Sequence, residues 1–357
     1  TSLTSGSYND AATVTFTFTL SETPVTDLFE HDATTQDITV TNCGSSGAPA
    51  IAGSGTAWTL ECPASDGNPI TVTVAATKFK DAAGNANAAP GAAACTGTSC
   101  DLRTTASFIV NSDTTAPTVT ITATDQDDVS LTSGAANDAS VVTFTFTLSE
   151  APSSVGDFAE NDITTGHNCI YATETHGAQT ASTWAGSGQA YTLTCGANDG
   201  SDITMTVAAT KFTDAAGNAN AAPTTTACTA TSCDLSTKAS FVVSSDTTAP
   251  FVTITATDQQ ATPVAITSGS ENAATTMTFT FQLSEVSTDF ADADITRTNC
   301  DTPSTLSGSG QTYTCTCAST TTNGLAVSMT VAAGKFTDAA GNSNQAPGSA
   351  ACTATSC

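Results

Sequence analysis

Carboxylates and thiols are the groups in this sequence whose spacing could support chemistry, and both recur in fixed company. An aspartate follows the Lys-Phe-x of "TKFKDAAGNAN", "TKFTDAAGNAN" and "GKFTDAAGNSN", at Asp214 and Asp338 in the second and third copies. A glutamate closes each "LSE", at Glu150 and Glu285, and two "SDTTAP" segments carry Asp113 and Asp246. Such oxygens suit a hard divalent cation, above all calcium, which takes about six to eight of them at about 2.3–2.6 Å. The 13 cysteines include no Cys-x-x-Cys pair and there are only 3 histidines, so zinc sites are not expected. Disulfides are, and with them an extracellular or cell-surface setting. His31, His167 and His176 fall at non-equivalent positions, and no nucleophile elbow or P-loop occurs, so no enzyme is expected.

The charge balance narrows the partners. Seven Lys+Arg against 33 Asp+Glu give a net charge of -26. A chain so poor in cations cannot neutralise phosphates, which argues against nucleic acid, and anionic membrane surfaces would repel it. No apolar run is long enough to insert as a membrane helix, and "TSLTSGSYND" lacks the basic start and apolar core of a signal peptide. Divalent cations are a natural counter-charge, although acidity also serves solubility alone.

The elements that position these groups are written three times. The phrases "LTSGSYNDAATVTFTFTLSE", "LTSGAANDASVVTFTFTLSE" and "ITSGSENAATTMTFTFQLSE" begin at Leu3, Leu131 and Ile266. That places them about 130 residues apart, the size of one small domain. "GSGTAWTLEC", "GSGQAYTLTC" and "GSGQTYTCTC" follow, then the Asp-Ala-Ala-Gly-Asn segment, then "ACTGTSC" or "ACTATSC". In "TVTFTFTL", Val14, Phe16, Phe18 and Leu20 alternate with threonines, the pattern of a half-buried antiparallel strand. Short strands, Gly/Asn/Ser turns and no helical periodicity predict an all-β chain of three tandem immunoglobulin-like β-sandwiches. The expected units are 1–112, 113–245 and 246–357. Each connector reads as last strand, Asp-Thr-Thr-Ala-Pro, first strand, with Pro117 and Pro250 tolerated at the start of an edge strand. On this reading the first unit lacks its opening strand and the third its closing strand. The chain is then expected to continue head to tail into neighbouring copies or further domains of the same protein.

The ordered phrases "DTTAPTVTIT…VTFTFTLSE…NDIT…GSG…YTLTC…VAATKFTDAAGNAN" resemble the bacterial Ig-like repeats found in tandem in large surface adhesins. The cysteines and the "CTATSC" insertion depart from that pattern. The resemblance implies that Asp-x-Thr-Ala-Pro opens a domain and Asp-x-Ala-Gly-Asn precedes its final strand. Phe79, Phe212 and Phe336 are expected in the core, with Gly84, Gly217 and Gly341 supplying a positive φ in the turn. In a sandwich of this kind, the loop before the last strand lies beside the loop after the second strand, where the first strand begins. That gathers Asp113, Glu150 and Asp214 at one pole, and Asp246, Glu285 and Asp338 at another. Asp125, Asp127 and Asp128 are expected to face the second pole from the preceding unit. Calcium bound there would stiffen the joint; the competing reading is a set of ordinary turns.

Four cysteines recur per unit and permit three connectivities. The stretch between the first two varies in length while its ends keep their contexts, as in a loop stapled at its base. This favours Cys43–Cys62, Cys169–Cys195 and Cys300–Cys317. Cys95–Cys100, Cys228–Cys233 and Cys352–Cys357 then close the short loops. Cys315 is left over, as a buried thiol or an intermolecular link. Two functions follow: a structural segment of an extracellular stalk, fibre or surface filament, or an adhesin module binding a glycan or protein. The second would use the divergent loop 166–184, with His167, Tyr171, His176 and Trp184.

Overall fold

The computed structural model describes residues 2–25, 37–44, 50–166, 169, 183–319, 325–348 and 355–357. The described chain is β throughout, apart from single 3-10 turns at Glu160–Asp162 and Asp292–Asp294. The first repeat contributes β1 (Tyr8–Asn9), β2 (Thr13–Thr19), β3 (Ile38–Thr41), β4 (Ala50–Ser54), β5 (Ala57–Pro63), β6 (Ile70–Val74) and β7 (Phe108–Ser112). The second contributes β8 (Val119–Thr124), β9 (Ala136–Asn137), β10 (Val141–Leu148), β11 (Ile163–Gly166), β12 (Thr183–Ser187), β13 (Ala190–Gly196), β14 (Ser201–Val207), β15 (Ser232–Asp234) and β16 (Phe241–Ser245). The third contributes β17 (Val252–Asp258), β18 (Ala265–Ile266), β19 (Thr276–Ser287), β20 (Ile295–Thr298), β21 (Ser307–Ala318) and β22 (Ser328–Val331).

Each repeat packs two sheets around its own apolar cluster. In the second the orders are β12-β13-β10-β8-β15 and β11-β14-β16-β9. Phe144 of the first sheet meets Phe241 of the second edge to face, with ring centres 6.3 Å apart. The threonine alternation explains this directly: Val142, Phe144, Phe146 and Leu148 turn inward along β10, while Thr143, Thr145 and Thr147 face away from the core. A strand that buries every other side chain removes about 25 cal/mol of water-exposed apolar free energy per Å² on one face only. The register is therefore fixed, because a one-residue slip would expose every phenylalanine.

The repeats differ at their sheet edges. The first has β4-β5-β2 facing β1-β7-β6-β3; the third has β18-β17-β19-β21 facing β20-β22. β8 pairs antiparallel with β10, and β17 with β19, whereas among the described residues β2 pairs with β5 alone. A two-residue strand adds a parallel edge to β7 and β16 in the first two repeats. There Asn9 and Asn137 fix the corner. Each side-chain oxygen accepts from the N–H two residues on, and each Nδ2 donates to the carbonyl of Asn111 or Ser244.

Five disulfides are described: Cys43–Cys62, Cys95–Cys100, Cys169–Cys195, Cys228–Cys233 and Cys300–Cys317. Cys62, Cys195 and Cys317 lie on β5, β13 and β21, and their partners follow β3, β11 and β20 of the opposite sheets. These bridges therefore tie sheet to sheet. Cys357 is disulfide-bonded, and Cys352 lies outside the described residues. Residues 356 and 357 pair with β17, at Thr255–Ser356 and Ile254–Cys357. Cys315 is a buried free thiol on β21, and burial raises its pKa.

Candidate metal centre and interdomain joint

The Asp-Ala-Ala-Gly-Asn segment is a turn built around its aspartate. Asp214 Oδ1 accepts the N–H groups of Ala216, Gly217 and Asn218 at 2.8–2.9 Å, and Asp338 repeats the arrangement. Only a tight turn aims three successive N–H groups at one oxygen, and Gly217 and Gly341 allow it with φ near +103° and +102°. Asn218 Nδ2 then donates both to Asp214 Oδ2 at 2.9 Å and to the backbone carbonyl of Asp113 at 2.8 Å. Asn342 does the same with Asp338 Oδ2 at 3.0 Å and the Asp246 carbonyl at 2.7 Å. The first Asn of the motif thus holds the incoming linker.

The second Asn is a separate device. Asn220 Oδ1 accepts from Lys211 and Phe212 N–H, while its Nδ2 donates to the carbonyls of Ala208 and Ala221. Asn87 and Asn344 make the same four contacts in their own repeats. These bonds pin a turn in which Thr77, Thr210 and Gly334 have φ of 61°, 60° and 66°. That region strains β-branched threonine and is free for glycine.

The linker is held from both sides. Asp113 N–H donates to the Asn9 carbonyl, and the Pro117 carbonyl accepts Ala221 N–H. At the second linker, Asp246 donates to Asn137 and Pro250 accepts from Gln345. The threonines face back. Thr114 N–H and the Thr115 hydroxyl donate to Asp66 at 2.7 and 2.8 Å, while Thr247 and Thr248 donate to Asp199, both at 2.6 Å. Sequence reasoning passed over Asp66 and Asp199. Their signal was an Asp-Gly pair ahead of β6 and of β14, "ASDGNP" and "ANDGSD".

This linker path brings carboxylates together. Asp113, Glu150 and Asp214 each place an oxygen within 4.8 Å of the others, and so do Asp246, Glu285 and Asp338. In both groups the turn aspartate is buried and the other two are half-buried. The Glu150 pKa is pushed up, first by burial and then by the charges of Asp113 and Asp214. Burial, then Asp246, Asp338 and Asp199, raise Glu285 in the same way. The spacing fits a cation touching each oxygen at about 2.4 Å.

Asp125, Asp127 and Asp128 do not join the second group. Asp125 instead closes its own turn, accepting from Asp127 and Val129 N–H, and the preceding repeat's carboxylate that acts on Glu285 is Asp199. A local turn outcompetes a distant partner because its closure costs little chain entropy. Trp184 is likewise not a free platform. It stacks on Tyr191 with ring centres 5.3 Å apart and packs beside Phe146 and Phe158. His167, Tyr171 and His176 lie outside the described residues. Among the described residues no helix is long and apolar enough to cross a membrane.

No curated protein matches the chain. A crystal structure of the I9–I11 tandem from titin aligns over 91% of this chain and 93% of that one, at 9% identity and a TM-score of 0.24. The disulfides and the family match are consistent with an extracellular location. Residues 246–354 match the family model of the bacterial Ig-like domain, and the first two repeats carry the same ordered phrases.

Proposed function

We propose that the chain is a structural segment of an extracellular stalk, fibre or surface filament, with Ig-like units 1–112, 113–245 and 246–357 joined head to tail. The observation that carries this reading is the double anchoring of each linker. The Asp66 or Asp199 carboxylate holds it from behind, and the Asn218 or Asn342 amide holds it from ahead. A tether that only connected independent binding modules would not need its backbone bonded on both sides. Neighbouring copies or further units of the same kind are the partners this role calls for.

Calcium at the joints completes the proposal. Asp113, Glu150 and Asp214 would hold one ion, and Asp246, Glu285 and Asp338 another. Bound there, a dication offsets the mutual repulsion of three carboxylates and ties the linker aspartate to the following unit. A ligand that binds only the folded protein stabilises it in proportion to the logarithm of its concentration. Thermal unfolding should therefore shift upward in millimolar calcium relative to EGTA, and a Glu150→Gln, Glu285→Gln variant should lose most of that shift. Equal melting temperatures in calcium and EGTA would remove the metal from the account while leaving the array.

A further inference from the structure

In the first two repeats an early segment is bonded directly to the last strand. β9 runs parallel to β16 in the second repeat, with Ala136 opposite Ser244 and Asn137 opposite Ser245. In the first, Tyr8 and Asn9 lie opposite Asn111 and Ser112 of β7. Side chains extend this short ladder into a longer seam. Gly134 N–H donates to the Val242 carbonyl, the Ser133 hydroxyl accepts Val242 N–H, and the Ser245 hydroxyl donates to the Ala139 carbonyl at 2.7 Å. Gly6, Ser5 and Ile109 repeat the first two contacts. Asn137 ends the seam at the linker, donating its amide to Ser244 and accepting at its carbonyl from Asp246.

Two features suit this seam to tension. Its polar side chains are shut away from water: Ser5, Asn9, Ser133, Asn137 and Ser245 are all at most 9% exposed. A bond that opens there finds no water to replace its partner until the strands part, so opening is slow. The second feature is topological. The chain from Ala136 to Ser245 is a loop whose mouth is the seam, and the linker to the third repeat leaves directly from Ser245. A pull on that linker runs along β16, whose bonds to β9 and β14 lie across it. Bonds lying across a pull share the load and fail together; bonds in a peeled strand fail one at a time. At the other end the pull enters at Val119 and runs along the ladder of β8 with β10.

We propose that the seam is a force-bearing latch, through which a repeat carries tension along the chain, and that the disulfides behind it limit how far an opened repeat lengthens. This role presupposes the array, because only a segment held between neighbours is pulled from both ends. Behind the latch of the second repeat, Cys169–Cys195 and Cys228–Cys233 join residues 26 and 5 apart in sequence. In the first, Cys43–Cys62 and Cys95–Cys100 join residues 19 and 5 apart. An opened repeat therefore releases only the chain outside these loops. Forced opening is governed by the unfolding rate and not by equilibrium stability alone, so a few buried bonds in the load path outweigh core packing elsewhere.

Single-molecule stretching of the full chain, held at its two ends, tests the latch. The first and second repeats should open as separate high-force events. Reducing the disulfides should lengthen the second repeat's event by about 100 Å and the first's by about 70 Å, at about 3.3–3.6 Å per freed residue, which identifies each. Asn137→Ala should remove the high-force event of the second repeat and spare that of the first. Ser133→Ala, which deletes only the bond to Val242 N–H, should lower the same event by less. Leu193→Val shortens a core side chain on β13, a strand bonded to neither β9 nor β16, and should leave the force unchanged. Urea unfolding of the three variants gives their equilibrium stabilities for comparison. Low-force opening of the native repeats, or a loss of force that follows equilibrium stability equally in all three variants, would overturn the latch. Neither result touches the linker contacts, so the array is judged separately, by scattering.

Discussion

The side-chain amide of Asn218 reaches across a linker to the backbone carbonyl of Asp113, 2.8 Å away and about a hundred residues earlier in sequence. The same amide holds Asp214, so the turn and the linker are fixed by one side chain. Replacing Asn218 or Asn342 by alanine should lower the stability of the following repeat by about 1–3 kcal/mol, the cost of leaving partly buried partners unpaired. Asn85→Ala should cost less, because Asn85 is exposed and bonds Asp81 within its own turn. Urea unfolding of the three variants side by side measures the difference.

Asn220→Ala should be more damaging than Asn218→Ala. It removes four contacts around a buried amide and releases Lys211 and Phe212 N–H, with a penalty of about 1–3 kcal/mol for each buried group left unsatisfied. Asn220→Asp keeps the two accepted bonds and loses the two donated ones, so it should fall between alanine and the native residue. Equal stability of all three in denaturant titration would contradict the staple.

Gly334 stands where the other repeats strain a threonine at φ near 60°. Gly334→Thr should therefore destabilise the third repeat by about 1–3 kcal/mol, the usual cost of a non-glycine residue in that region. Calorimetry of the single variant checks it.

The joints should respond to pH in two opposed ways. The Asp66 pKa is lowered by the Thr114 N–H and the Thr115 hydroxyl, and Asp199 by the Thr248 hydroxyl and the Thr247 N–H. Their stabilisation is complete above the ordinary value of 3.8 and is lost as pH falls through the lowered folded value. Glu150 and Glu285 are raised above 4.5, so in metal-free protein their contribution is complete below that value and fades as pH rises through the raised one. Melting temperature in EGTA should then peak in mildly acid solution, and calcium should remove the decline on the alkaline side.

Much of this was legible in the sequence because it is periodic. Threonines alternating with Phe16 and Phe18, or Phe144 and Phe146, write the strands directly, and repeated Asp and Glu positions converge once a sandwich is assumed. The staple was not legible. Asn220 lies in a turn-rich segment where any asparagine looks like a turn residue, and its partners are backbone atoms that carry no residue identity. Asp199 reads as half of an Asp-Gly turn; that it bonds Thr247 and Thr248 depends on the path of the linker. Asp125 misled for the converse reason, since a carboxylate two residues from an available N–H is satisfied locally. Trp184 looked like part of an irregular ligand loop, yet it begins a strand whose inner face is already aromatic.

The most direct test of the central claim, that both linkers are clamped at each end, is small-angle X-ray scattering of the full chain in calcium. The native protein is compared with a variant carrying Asp66→Ala, Asp199→Ala, Asn218→Ala and Asn342→Ala. The native profile should be fitted by one arrangement of the three repeats, while the variant keeps its sandwiches yet requires a broad ensemble. A native profile that already requires a broad ensemble, or a variant indistinguishable from the native protein, would contradict it.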